Sequence, residues 1–314
     1  MTAQRSGKTL AVVGYASIDR AMSVRSFDGA DSTCIVTRRL SQPWPAPGGI
    51  LHIVRAAATA GVHVGAVSWV GTDSAGQHWI SSITSVGARP AGINIHGDVT
   101  PSAYIFYASR GDALCFYDEG DCHAGPLTDD QRHIIRSADC VLLTAGPEWG
   151  SRQVLAEIND QSVLVWAVKQ DRTAFPPDLV HQIIARADVV SYSAGEHSLF
   201  ADDGPLLATR PRLLSVRTDG ADGVDFTRIA NSGRADHGHI AVEPINGIDT
   251  TGAGDTFVGT LAAELARAGH PADLAVEGLR DAIAASVLAT STMLQHRRGT
   301  TRTVPLSNSG KSQP

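Results

Sequence analysis

Apolar positions along this chain follow two periods. Short runs at 9–13, 64–70, 140–143, 163–167, 188–191 and 213–216 are apolar almost throughout, the pattern of strands covered on both faces. Between them, apolar residues recur at helical spacing over about 50–60, 74–86, 129–138, 154–158 and 178–185, with Ser74 in place to cap the second of these. Strict alternation of strand and helix predicts a parallel, doubly wound α/β sheet with helices on both faces. Two stretches break that rhythm. Between Ala21 and Leu40, Cys34, Val36 and Arg38 oppose Ile35, Thr37 and Arg39, a period of two that suits an antiparallel strand. Residues 102–106 and 113–117 flank Arg110-Gly111-Asp112 as a hairpin. These segments, about 20–40 and 100–118, are expected to form a small accessory sheet. It serves either as a lid that keeps water from a substrate or as an edge buried in a homodimer.

With 314 residues the chain fits one large domain, here 9–304, with polar tails at 1–8 and 305–314. A net charge of −6 and the lack of a basic cluster argue against nucleic acid as a partner. Lysine occurs only at Lys8, Lys169 and Lys311, which leaves Lys169 as the one lysine expected inside the folded body. The four cysteines, Cys34, Cys115, Cys122 and Cys140, have neither CxxC nor metal-ligand spacing. They read as reduced thiols. No leader-like apolar segment and no bilayer-length run occurs, so a soluble cytoplasmic protein with no membrane contact is expected.

The chemistry concentrates in Asp249-Thr250-Thr251-Gly252-Ala253-Gly254-Asp255-Thr256-Phe257. A small-residue loop runs there into a helix whose apolar positions include Phe257, Val258, Leu261, Ala262 and Leu265. Helix N-termini carry unpaired N–H groups and partial positive charge, which suits phosphate oxygens. Asp255 in the first turn either serves as a base toward whatever binds the loop or simply complements the helix dipole. Asp19 follows the first strand, on the side where α/β sheets bind ligands, and reads as a hydroxyl acceptor or a turn aspartate. Lys169 lies beyond the strand at 163–167, as a partner for a phosphate or carboxylate or as an ordinary surface lysine. No GxxxxGK[ST] loop is present, so a nucleotide would be held by another device.

The run from Asp249 to Gly259 closely resembles the C-terminal signature of the ribokinase-like (PfkB) family of sugar and nucleoside kinases. That resemblance implies a three-layer α/β/α, mostly parallel sheet with a small β lid. It also implies ATP and Mg²⁺, Asp255 as catalytic base, and the Gly252, Ala253 and Gly254 backbone as anion hole. Gly48-Gly49 matches a family Gly-Gly near the sugar. The family's following Asn is absent: counted back from Gly61 its place is taken by His52, counted forward from Gly49 by Ile53. Ser193-Ala194-Gly195-Glu196 is similar to the family's Asn-x-x-Glu, whose Glu organises Mg²⁺ through water. The run 218–224, with Thr218, Gly220 and Gly223, resembles its nucleotide-binding turn, and 71–76 a structural turn. By the same analogy Asp249 helps bind K⁺, and a helix at 274–294 with Gly299 closes the adenine pocket. Departures cluster at acceptor positions: Ser17, His52 or Ile53, and Ser193 stand in Asn places, and 167–172 lacks the family's Asp-x-Asn-x-Arg. The expected activity is transfer of the γ-phosphoryl of ATP to a hydroxyl of a sugar or sugar-like substrate. The alternatives are a nucleoside kinase of the same family or a nucleotide-binding sensor without turnover.

Overall fold

The computed structural model describes residues 7–40, 44–108, 113–203, 207, 210–230, 234–245 and 250–300. From the N-terminus, β1 (Thr9–Val13), β2 (Ala16–Val24), β3 (Val36–Arg39) and β4 (Ala46–Gly49) lead into α1 (Leu51–Thr59). Then come β5 (His63–Val70), α2 (Ser74–Ser85), β6 (Ile93–Ile95), β7 (Ser102–Ala108) and β8 (Ala113–Asp118). The middle of the chain alternates α3 (Asp129–Ser137), β9 (Cys140–Leu143), α4 (Glu148–Glu157), β10 (Val163–Ala167), α5 (Pro177–Arg186) and β11 (Val189–Ser193). A hairpin-like run of β12 (Leu214–Thr218), β13 (Val224–Ile229) and β14 (Ala235–Ile240) precedes α6 (Ala253–Ala268) and α7 (Val276–Thr300).

The large sheet has the order β14-β13-β12-β11-β10-β9-β1-β5-β6. Every pairing from β12 to β6 is parallel, whereas β13 pairs antiparallel with both β12 and β14. Alternate residues of each strand feed opposite faces. Leu10, Val12, Cys140, Leu142, Val163 and Val165 face α1, α2, α6 and α7, whereas Ala11, Val13, Val141, Leu143, Leu164 and Trp166 face α3, α4 and α5. Each fully buried aliphatic or aromatic side chain contributes roughly 1.5–3 kcal/mol, so the two cores fix the strand register firmly. Among the described residues no helix is long and apolar enough to cross a membrane.

The second sheet, in the order β3-β2-β7-β8 with β4 also on β2, stands where the predicted accessory segments fall. β2 leaves the large sheet only two residues after β1 and pairs parallel with β7, an arrangement the sequence did not announce. Its one face carries Ala103, Ile105, Tyr107, Cys115 and Tyr117, the other Tyr104, Phe106, Leu114 and Phe116.

Several expectations change. Asp19 lies within β2 rather than in a turn after β1. The strand expected through 21–40 breaks at residues 25–35. Asp73, not Ser74, caps α2, accepting from the Gly76 N–H at 2.8 Å. Lys8 is ion-paired with Asp139 at 2.7 Å and belongs to the fold, so Lys169 is not its sole lysine. α4 begins well before residue 154, at Glu148. The hairpin tip at 109–112 and the tails at 1–6 and 301–314 lie outside the described residues.

Candidate active site

The small-residue loop opens α6 with Gly252 at φ +76°, a left-handed conformation that costs a side-chain-bearing residue about 1–2 kcal/mol. A Cβ there would also lie 3.0 Å from the His52 ring. The Thr256 N–H donates to the Gly252 carbonyl at 2.8 Å and starts the helix. The Ala253 N–H turns back onto the Thr250 carbonyl at 2.9 Å. This amide is occupied, which removes it from the donor set expected of the loop. The N–H groups of Gly254 and Asp255 meet no backbone acceptor among the described residues. A Cβ on Gly254 would touch nothing within 4 Å, so the loop presents an open face there.

Four charged or titratable side chains converge beside that face. Asp255 Oδ1 accepts from Lys169 Nζ at 2.8 Å, its side chain only 16% exposed. Burial pushes the Asp255 carboxyl up, but the charges of Lys169 and His52 outweigh it and hold the pKa below the ordinary value. Lys169 is pushed up, first by Asp255 and also by Glu196, against the opposing effect of burial. His52, in the first turn of α1, is pushed down by burial and by nearby Arg55, Arg297 and Lys169, with Asp255 pulling the other way. Asp19 on β2 lies against Gly48 of β4: a Cβ on that glycine would overlap the Asp19 carboxylate, so only glycine fits. Burial raises Asp19 to about 6, opposed by a hydrogen bond from the Ser17 hydroxyl and reinforced by the Asp255 charge. Gly49 pairs with Ala16 in the same ladder. The His52 ring thus lies against Gly252 of the loop, while Ile53 is buried in the core.

On the other side of the loop opens a cavity of about 430 Å³. Thr250, Ala253 and Gly254 form one end, Thr218, Gly220 and Gly223 one edge, and Val242, Ile245, Val287 and Leu294 supply apolar wall. Ser193 lines it too, and its N–H donates to Glu196 Oε2 at 2.7 Å. Glu196 stands in the first turn of the 3₁₀ segment Ala194–Asp203. No cluster of three acidic, His or Cys side chains able to hold a metal occurs among the described residues. Asp249, the K⁺ candidate, lies outside the described residues.

Residues 204–305, which contain the loop and part of this cavity's wall, match the family model described as pfkB family carbohydrate kinase. That stretch is therefore similar to the pfkB family over its matched residues. The chain's fold is ribokinase-like. A ribokinase from Cryptococcus neoformans var. grubii, solved in complex with ADP, superposes with a TM-score of 0.71 at 19% identity over 92% of this chain and 94% of its own. A nucleoside kinase from Methanocaldococcus jannaschii gives 0.69 at 16% identity over 92% and 93%. In sequence, the chain is 26% identical over 86% of its length to the bifunctional protein HldE of Mesorhizobium japonicum, of which the match covers 56%. It thus spans about half the length of that relative.

Three side chains around the site escaped sequence reasoning. Tyr107, on β7, shares a 3.1 Å hydroxyl–hydroxyl hydrogen bond with Thr251. Arg297, near the end of α7, donates from Nη1 to the Thr251 carbonyl at 2.5 Å. Trp79 of α2 donates to the Gly48 carbonyl at 3.0 Å, fixing the strand that leaves room for Asp19. Only Tyr107 left a trace in the sequence: it shares strand parity with the residues that face inward.

Proposed function

We propose that this protein transfers the γ-phosphoryl group of ATP to a hydroxyl of a sugar or sugar-like acceptor, with Asp255 as general base. One observation carries the reading: Asp255 and the open face of Gly254 lie between two differently built compartments. The cavity on one side has apolar walls suited to a base and a loop end suited to phosphates. The cluster on the other side, Asp19, His52 and Lys169, is suited to hydroxyls. Asp19 accepts from them, and His52 orients one. The low pKa of Asp255 keeps it ionised, ready to take the proton of the attacking hydroxyl. Lys169, already beside that carboxylate, is within reach of a transferred phosphoryl and offsets its charge together with the N–H groups of Gly254 and Asp255. Mg²⁺ carried on the nucleotide and held through water by Glu196 would spread the charge of the phosphate oxygens.

A panel of sugars and nucleosides with ADP release as readout tests the assignment. Turnover on a sugar is expected, with Asp255→Asn lowering kcat by about 10²–10⁴ while ATP still binds. Turnover that survives this substitution removes Asp255 from the base role. Preference for a nucleoside moves the assignment to a nucleoside kinase, and ATP binding with no turnover moves it to a nucleotide-binding sensor.

A further inference from the structure

The family resemblance assigns a K⁺ to the loop, and the described side of that place does not fit one. A monovalent cation beside the loop would need backbone carbonyl oxygens free to face it. The carbonyl of Thr251, immediately before the left-handed Gly252, instead faces the guanidinium of Arg297 at 2.5 Å. Arg55 of α1 adds a second positive charge nearby, and burial together with the Arg297 charge holds its pKa below the ordinary value. No acidic partner of Arg55 occurs among the described residues. A further cation would enter a region that already holds two.

We propose that Arg297 is the built-in cation of the phosphate loop, a positioning residue that makes nucleotide binding independent of a monovalent metal ion. The peptide between Thr251 and Gly252 is rigid and planar, so holding its carbonyl end sets the direction of the Gly252 N–H at the other. A guanidinium does this with a charge-assisted hydrogen bond, roughly twice as strong as a neutral one. Arg297 is itself favoured where it stands, because cations are stabilised in the last turns of a helix. Tyr107 grips the same residue by its hydroxyl, so Thr251 is fixed at both ends before any ligand arrives.

The inference rests on the nucleotide reading of the 430 Å³ cavity. Its test is calorimetric binding of Mg-AMP-PNP to the full chain, in potassium chloride and in tetramethylammonium chloride of equal ionic strength. The unaltered chain is expected to bind equally well in both. Arg297→Met, which keeps the stem, should weaken binding in tetramethylammonium by about ten- to a hundredfold, the size of a lost charge-assisted bond. Arg297→Lys should retain most of it, and potassium or free guanidinium ion should restore part of the loss in Arg297→Met. Strong potassium dependence in the unaltered chain overturns the proposal without any mutant. So does Arg297→Met binding as tightly as the unaltered chain. If the unaltered chain binds no Mg-AMP-PNP in either salt, the nucleotide reading itself fails and this inference with it.

Discussion

Asp19 shows what the site costs the fold. Its carboxyl is raised from 3.8 to about 6 because it is buried beside a second carboxylate, with the Ser17 hydroxyl as its hydrogen-bond donor. An acid whose folded pKa lies above the unfolded value binds more protons when folded, so its contribution to stability is intact below about pH 4. That contribution is lost as pH rises through about 6. Near neutrality the penalty is on the order of 2–3 kcal/mol. Asp19→Asn is therefore expected to melt several degrees above the unaltered chain at pH 8, with the gap closing toward pH 4 in thermal denaturation scans. The same substitution should raise the acceptor KM sharply. In the unaltered chain, acceptor KM should climb as pH falls through 6, since a protonated Asp19 accepts hydroxyl hydrogen bonds poorly. A melting gap that is flat across this range would mean that Asp19 does not titrate as argued.

At the scale of elements, α1 and α6 lie together with their N-terminal turns at the site, His52 of one against Gly252 of the other. Both positive dipole ends are thereby brought toward Asp255 and the phosphates expected there. Their contact is close because Gly259 of α6 faces the α1 backbone, where a Cβ would come 2.5 Å from the Ile53 carbonyl oxygen. Gly259→Ala must push the helices apart, so it is expected to cost about 1–3 kcal/mol and to lower kcat as His52 leaves the loop. Unchanged melting and unchanged turnover would show that the contact is looser than described. The sequence carries the local half of this arrangement. Gly252, Gly254 and Asp255 are contiguous, and the parallel strands are apolar runs that need no partner to be recognised. It carries the rest poorly, because Tyr107 reaches Thr251 across 144 residues and Arg297 across 46. Neither belongs to a local pattern. His52 was ambiguous for a related reason: a one-residue difference in spacing left two candidates, and only the burial of Ile53 in the core settles which side chain turns to the loop.

For the whole molecule, the small sheet poses a problem of cover. Its inner face closes over the candidate acceptor cluster, with Tyr107 reaching Thr251 before α6 and Tyr117 donating to the Ala16 carbonyl at the start of β2. Its outer face is apolar and open to solvent: Phe116 is 57% exposed, Leu114 44% and Tyr104 37%. Of the eight large hydrophobic residues that stand exposed among those described, five (Ile35, Val36, Tyr104, Leu114 and Phe116) lie on this sheet or at its edge. Such concentration marks an interaction surface rather than the scattered apolar exposure of an ordinary monomer. We propose a second copy as its occupant, because each chain offers one such face and a two-fold axis would pair the two without leaving another uncovered. Two sheets stacked this way would form a short sandwich with Phe116 and Leu114 at its centre. Light scattering coupled to size exclusion is therefore expected to give twice the 32.9 kDa chain mass. Leu114→Glu with Phe116→Glu should yield monomers whose melting temperature is little changed, since neither side chain belongs to the two cores. Acceptor KM should rise in those monomers while affinity for ATP holds, because the sheet over the proposed acceptor cluster loses its support and the 430 Å³ cavity lies elsewhere. A monomeric mass for the unaltered chain at micromolar concentration would refute the pairing.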